Sequence, residues 1–168
     1  ISAIKNTKGE IVNFLGLKED ITERKLAEQN LKNERTLFRT IIDLIPDAVY
    51  MKDLQGRKIM ANPKEVQLAG KATEAEVIGK TDMELYPADQ VNYSLSEDLF
   101  VQKGQSILNA EATLTDLQGK VHSLLISKVP LFDGQGNITG LVGVSHDITE
   151  RKQAEDEIKA AHKSLSDI

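Results

Sequence analysis

Apolar and polar positions change period several times along the chain. Downstream of residue 21, Ala27, Leu31, Phe38 and Ile41 recur at spacings compatible with one helical face, and "ERTLFRTIIDLI" (34–45) continues that helix until Pro46 stops it. "DAVYMKDLQGRKIMAN" then reads as two short strands around a turn at "DLQG". From Asn62 to about Gly104 the β signal fades into short helices and one longer one, punctuated by Pro and Gly. "SILNAEATLTD", "KVHSLLISKVPLFD" and "NITGLVGVSHD" follow as three strands joined by the turns "LQG" and "GQG". The predicted class is α+β, a five-stranded antiparallel sheet flanked by amphipathic helices at both ends.

One hexapeptide, "DITERK", occurs at 20–25 and again at 147–152. Aligned on it, "GEIVNFLGLKEDITERKLAE" (9–28) matches "GNITGLVGVSHDITERKQAE" (136–155), so a strand precedes each copy and a helix follows. Asp with Glu three residues on, Asp20/Glu23 and Asp147/Glu150, predicts a capping-box variant that also complements the helix dipole, with Thr22 and Thr149 between them. Downstream of the second copy Ala154, Ile158, Ala161 and Leu165 alternate four and three apart, a coiled-coil type of seam. The first copy keeps the frame, broken only by Glu34.

Composition narrows the function classes. With 168 residues the length gives a prior of about one domain, and a net charge of −5 with no Lys or Arg in 81–102 disfavours nucleic acid and anionic membrane surfaces as partners. Cysteine is absent, which removes disulfides and thiolate metal sites and fits a reducing cytoplasm. No apolar run approaches the ~20 residues of a membrane span. The chain opens without Met or a signal-peptide pattern, which reads as a segment of a longer protein.

"LIPDAVYMKDLQGRKIMANP", "EVIGKTDMELYP" and "SKVPLFDGQGNITGLVGVSHDITERKQAE", in this order, resemble a PAS sensor domain, the last stretch its PAC portion. The resemblance covers roughly 36–150 and implies the PAS fold, with short helices on one face of the sheet. It implies four parts: residues 1–20, the last hairpin of a preceding PAS domain; 21–45, a linker or signalling helix; 46–148, a complete PAS domain; and 149–168, a C-terminal signalling helix. It also implies a small-molecule pocket between the sheet and the short helices, with Leu141, Gly143 and Ser145 facing inward from the last strand. Tyr50, Met60, Tyr86, Tyr93, Phe100 and Glu111 are further candidates for its wall.

Cofactors of the usual PAS types are disfavoured. Light-sensing flavin relatives and cinnamoyl-binding relatives need a Cys, and haem relatives commonly place an axial His on the long helix, about 87–104, which has none. No metal site is expected: the acidic residues of 82–98 lack a calcium-loop pattern and read as a solvated face. His122 reads as a surface residue. His146 in "SHD" makes no triad, because consecutive strand residues point to opposite faces, and "HKSL" around His162 departs from a kinase phosphoacceptor motif. The resulting expectation is a non-catalytic sensor module that dimerises through its flanking helices and couples to neighbouring PAS and output domains. A histidine kinase is the favoured output, and a diguanylate cyclase or phosphodiesterase sensor the alternative. A ligand-free relay and an enzyme using acidic residues or His146 as base are the competing classes, the latter lacking any converging constellation.

Overall fold

A computed structural model of the chain describes residues 2–116 and 118–166; the side chains of residues 89, 90, 92, 165 and 166 lie outside that description. The chain divides into two compact units, Ile1–Thr40 and Ile41–Ile168.

The first unit holds a two-stranded antiparallel ribbon, β1 (Ser2–Lys5) with β2 (Ile11–Leu15), and most of α1 (Thr22–Leu44). Its apolar side chains stay exposed: Phe14, Leu26, Leu31 and Phe38 are each about half open to solvent or more.

The second unit builds one sheet from β3 (Ala48–Asp53), β4 (Lys58–Ala61), β5 (Ile107–Thr115), β6 (Val121–Phe132) and β7 (Ile138–Asp147), in the order β4-β3-β7-β6-β5 with every pair antiparallel. Between β4 and β5 lie α2 (Pro63–Leu68), a 3-10 turn (Glu74–Glu76), α3 (Asp82–Leu85) and α4 (Ala88–Gln102); α5 (Thr149–Ser166) follows β7. This is the α+β architecture expected from the sequence.

One local device makes the hairpins. In "DLQG" the Asp53 Oδ1 accepts from the amides of Gln55 and Arg57, and Asp133 in "DGQG" accepts likewise from Gln135 and Asn137. Asp116 does the same with Gln118 and Lys120, and Asn6 with Lys8 and Glu10. An Asx side chain mimics a backbone turn, and the closing residue must take positive φ, hence Gly56 (75°) and Gly136 (83°).

Alternation along the strands decides which side chains meet the helices. Ala48, Tyr50 and Lys52 on β3, Leu141, Gly143 and Ser145 on β7, and Leu124, Ile126 and Lys128 on β6 share one face, matched across the sheet by Tyr50↔Gly143, Lys128↔Gly143 and Ile126↔Ser145. Tyr50, Val101 of α4 and Leu141 pack as one buried cluster; Ala61, Val66, Ala69, Val77 and Leu85 form a second among the short helices. Asn62, fully buried, ties these together: its Oδ1 accepts from Val49 N and Glu65 N, capping α2, while its Nδ2 donates to Ile42 O and Asp47 O.

Candidate ligand cavity and signalling junction

Between the inward face of the sheet and α2–α4 lies a cavity of about 430 Å³, within the usual range for small-molecule sites. Its walls are apolar, with Leu68, Val91, Leu114, Leu124 and Ile126, and its floor is charged. Lys52, Lys58 and Lys128 are each no more than 2% exposed, as buried as any aliphatic residue in the core. Ionised lysines survive burial only when paired, and here they are. The Lys52 ammonium lies 2.5 Å from Asp82 and 2.6 Å from Asp98. Lys128 sits 2.7 Å from Asp98 and 2.9 Å from Glu97, and also donates to Ser94 Oγ at 3.2 Å. Lys58 is bonded to Glu65, lies 3.6 Å from Asp82 Oδ1, and stands 3.8 Å above the Tyr50 ring centroid. Tyr86 closes the network by donating to Glu65 Oε1 at 3.0 Å.

The electrostatic consequences are mutual. Burial alone would raise Asp82, but Lys58 and Lys52 outweigh it and hold the carboxyl down at about 2. Burial alone would lower Lys52, and Asp82 and Asp98 more than compensate, so its ammonium is held above the ordinary range. The Tyr50 and Tyr86 phenols are pushed well up, first by burial and then by Glu65. Three positive charges face four negative ones, Glu65, Asp82, Glu97 and Asp98.

Of the pocket residues expected from the sequence, Tyr50, Tyr86, Tyr93, Glu111 and Ser145 border this cavity. Tyr93 stands at the mouth, 62% exposed, and Glu111 on the edge strand is held by Lys152 at 2.5 Å. Met60, Phe100, Leu141 and Gly143 do not line it. Met60 pairs with Met51 on the opposite face of the sheet, while Ala61 faces inward opposite Tyr50 and a register shift after Met51 brings Lys58, not Ile59, opposite Lys52. Phe100 points away from the sheet on α4, 46% exposed, while Val101 is buried. Leu141 is consumed by the core. Gly143 makes room for the Tyr50 ring, not for a ligand: a Cβ there would stand 2.2 Å from Tyr50 Cζ.

The charged floor was missed because the acidic run 82–98 reads as a solvated face. Asp82, Glu97 and Asp98 are instead buried. The signal was present in the strands: period-two alternation places Lys52 in line with Tyr50, and Lys128 in line with Ile126, both pointing inward.

At the end of β7 the second hexapeptide turns the chain into α5. Asp147 Oδ1 accepts from Thr149 N at 2.9 Å and from Thr149 Oγ1 at 2.5 Å, and its Oδ2 meets His122 Nδ1 at 2.8 Å. Thr149 Oγ1 in turn accepts from Ser123 N. Ile148 carries the first helical carbonyl, bonded by Lys152 N, and is 2% exposed. The expected capping box is corrected accordingly: the Asp lies one residue before the cap and accepts from Thr at the second residue on, while Glu23 and Glu150 make no reciprocal hydrogen bond among the described residues. Their place is the helix's first turn, where acidic charge suits the dipole.

His122 is also corrected. Its side chain is 13% exposed, on the inward row with Leu124, and its other nitrogen lies 3.1 Å from Asp116 Oδ2. Both ring nitrogens face carboxylates, an arrangement that only the imidazolium satisfies with two donated bonds. Burial would lower its pKa, but Asp147 and Asp116 raise it above the ordinary value. For Asp147, burial opposes and the Thr149 and His122 bonds prevail, lowering it. His146 projects from the outer face to Asp47, 2.6 Å away. In α5, Ala154, Ile158 and Ala161 are exposed, Ile158 at 60%; the Leu165 side chain lies outside the described residues. Among the described residues no helix is long and apolar enough to cross a membrane.

A half-wrapped antiparallel sheet enclosing a small cavity, with a helix leaving its last strand, defines an α+β domain with a pocket between its layers. The PAS fold model matches residues 42–153, and the chain belongs to that family. It is 28% identical over 138 residues to the methanogenesis regulatory histidine kinase FilI of Methanothrix harundinacea, covering 82% of this chain and 15% of that protein. It is 27% identical to a diguanylate cyclase of Vibrio cholerae, over 79% of this chain and 42% of that one. Among solved structures, a Vibrio cholerae VqmA–ligand–DNA complex superposes with a TM-score of 0.61 at 26% identity, covering 70% of this chain and 51% of that one. The PAS domain of Bordetella pertussis BvgS shares the fold, with a TM-score of 0.56 at 24% identity over 79% of this chain and 98% of that one. The chain therefore spans less than half of each of these curated relatives.

Proposed function

We propose that this PAS module senses a small molecule in its cavity and passes the occupied state through β7 to α5. One observation carries the reading: Ser145 borders the cavity, and two residues on, Asp147 fastens both Thr149 of α5 and His122 of β6. A ligand that shifts β7 therefore pulls on the cap of the exit helix. Packed elements with two discrete arrangements amplify such small shifts. The seam of Ala154, Ile158, Ala161 and Leu165, the first three of them exposed, is the proposed pairing face of a homodimer, loosely packed because two of its positions are Ala. A histidine kinase is the proposed output, supported by the FilI likeness; the diguanylate cyclase likeness supports the alternative. The cytoplasm is the proposed location, on the absence of cysteine.

A ligand-free relay is the second reading, favoured by the way the floor lysines and carboxylates already pair with one another. Mass spectrometry of the natively purified chain, before and after denaturation, separates the two. Release of a cavity-sized molecule is expected, and a bare chain from every growth condition sinks the ligand half. For the dimer, Ile158→Asp with Ala161→Asp is expected to convert a sedimenting dimer to monomer. An unaltered dimer, or a monomeric parent, removes the pairing face.

A further inference from the structure

The charged floor does not close on itself. Among the described residues Glu65 is engaged through Oε1 only, by Lys58 and Tyr86, and Glu97 pairs with Lys128 through Oε2. Asp82 Oδ1 is buried and accepts no hydrogen bond from the described residues, among which Lys58 at 3.6 Å is its cation partner. All three residues border the cavity, and each is more than nine-tenths buried. Each cation already holds a carboxylate: Lys52 holds Asp82 and Asp98, Lys58 holds Glu65 and stands over the Tyr50 ring, and Lys128 holds Asp98, Glu97 and Ser94. On the donor side the Tyr50 phenol, 6% exposed, has no hydrogen-bond partner among the described residues; its ring only carries the Lys58 and Lys52 ammoniums above it.

From this inventory we infer that the cavity takes a compact nitrogen-donor ligand without net negative charge: an amine, amidine or amide on a small apolar or aromatic frame. The inference rests on the ligand-sensing reading above and names the ligand's chemistry. Carboxylate oxygens outnumber the donors that serve them, and four negative charges face three positive ones, so an N–H group supplies what the floor lacks. A carboxylate ligand would add a further negative charge beside unengaged acceptors, where every ammonium is already paired with a carboxylate. The apolar walls, with Leu114, Leu124 and Ile126, suit a ring or short chain behind the nitrogen. The Tyr50 hydroxyl favours a carbonyl or ring acceptor beside the N–H, which makes the neutral amide a distinct case from the amidine.

Benzamidine, benzamide and benzoate share one frame and carry charges of +1, 0 and −1, so titrating each into the whole chain and following amide resonances around the cavity tests the inference without any substitution. Saturable shifts at Tyr50, Glu65 and Leu124 are expected with benzamidine and benzamide, and at least tenfold weaker binding with benzoate. Benzoate binding as tightly as the other two overturns the ligand class and leaves the sensing reading intact. Failure of all three at millimolar concentration overturns both. Tyr50→Phe keeps the ring that Gly143 accommodates and deletes the donor; benzamide is expected to weaken about fivefold and benzamidine to stay unchanged. An equal loss for both probes, or none for either, removes Tyr50 from the site.

Discussion

The two copies of "DITERK" are identical in sequence and unlike in structure. In the second, Ile148 is 2% exposed and Asp147 is shared between Thr149 and His122. In the first, Ile21 is 41% exposed and Asp20 is held by Thr22, through its hydroxyl and amide, with no histidine beside it among the described residues. The local turn recurs because it depends on the hexapeptide alone: the Asp accepts from the Thr amide, and the first helical amide reaches the Ile carbonyl, Lys25 to Ile21 and Lys152 to Ile148. What differs is the strand beside it. The second copy lies against β6, whose Ser123 accepts from Ile148 N and donates to Thr149 Oγ1. The first copy follows a two-stranded ribbon, which offers no third strand among the described residues. A helix start is therefore written locally, and its coupling to a sheet is not.

The largest expected contrast is in burial. Ile148→Ala should destabilise the sheet unit by about 3 kcal/mol, and Ile21→Ala by less than about 0.5 kcal/mol. Urea unfolding followed by tyrosine emission reports the sheet unit cleanly, since all three tyrosines lie between residues 50 and 93 and there is no Trp; equal effects of the two substitutions would erase the distinction. Next comes the cap. Asp147→Ala removes two acceptor bonds and the carboxylate beside His122, at a cost of about 2 kcal/mol, against about 0.5 kcal/mol for Asp20→Ala. Hydrogen exchange at the first amides of α5 and α1 checks this, with faster exchange confined to α5 as the expected result.

The smallest effect is a pH dependence that only the second copy has. The folded pKa of His122 is raised above 6.5, so its stabilisation of the junction is complete below that value and fades as pH climbs through the raised pKa. Nuclear magnetic resonance titration of the His122 ring should give a pKa above 6.5, with α5 amide protection falling over the same range while α1 is unaffected. A titration at or below 6.5 would mean that the imidazolium bridge to Asp116 and Asp147 contributes nothing.

Much of the fold is legible in the sequence because it is built from local rules. "DLQG", "DGQG" and "NTKG" specify hairpins through one Asx side chain and one positive-φ glycine each, and period-two alternation on β7 puts Leu141, Gly143 and Ser145 on one face, the face that the family resemblance implies is inward. The site is less legible. Whether an inward residue meets a ligand, the core or another ring depends on what crosses over it, and Gly143 lies under Tyr50 from the neighbouring strand. The register shift in β4 is equally invisible, and it puts Lys58 in the place of Ile59 opposite Lys52.

The order of helices and strands, the turns between them, the family and the place of the helix starts follow from the sequence by itself, since each rests on runs of neighbouring residues. The charged floor, the bridging of His122 and the unequal fates of the two hexapeptides belong to the tertiary structure. Each joins residues tens of positions apart, such as Lys128 with Asp98 or Asp147 with His122, and the energy of a buried charge is set by whether a partner reaches it across the fold.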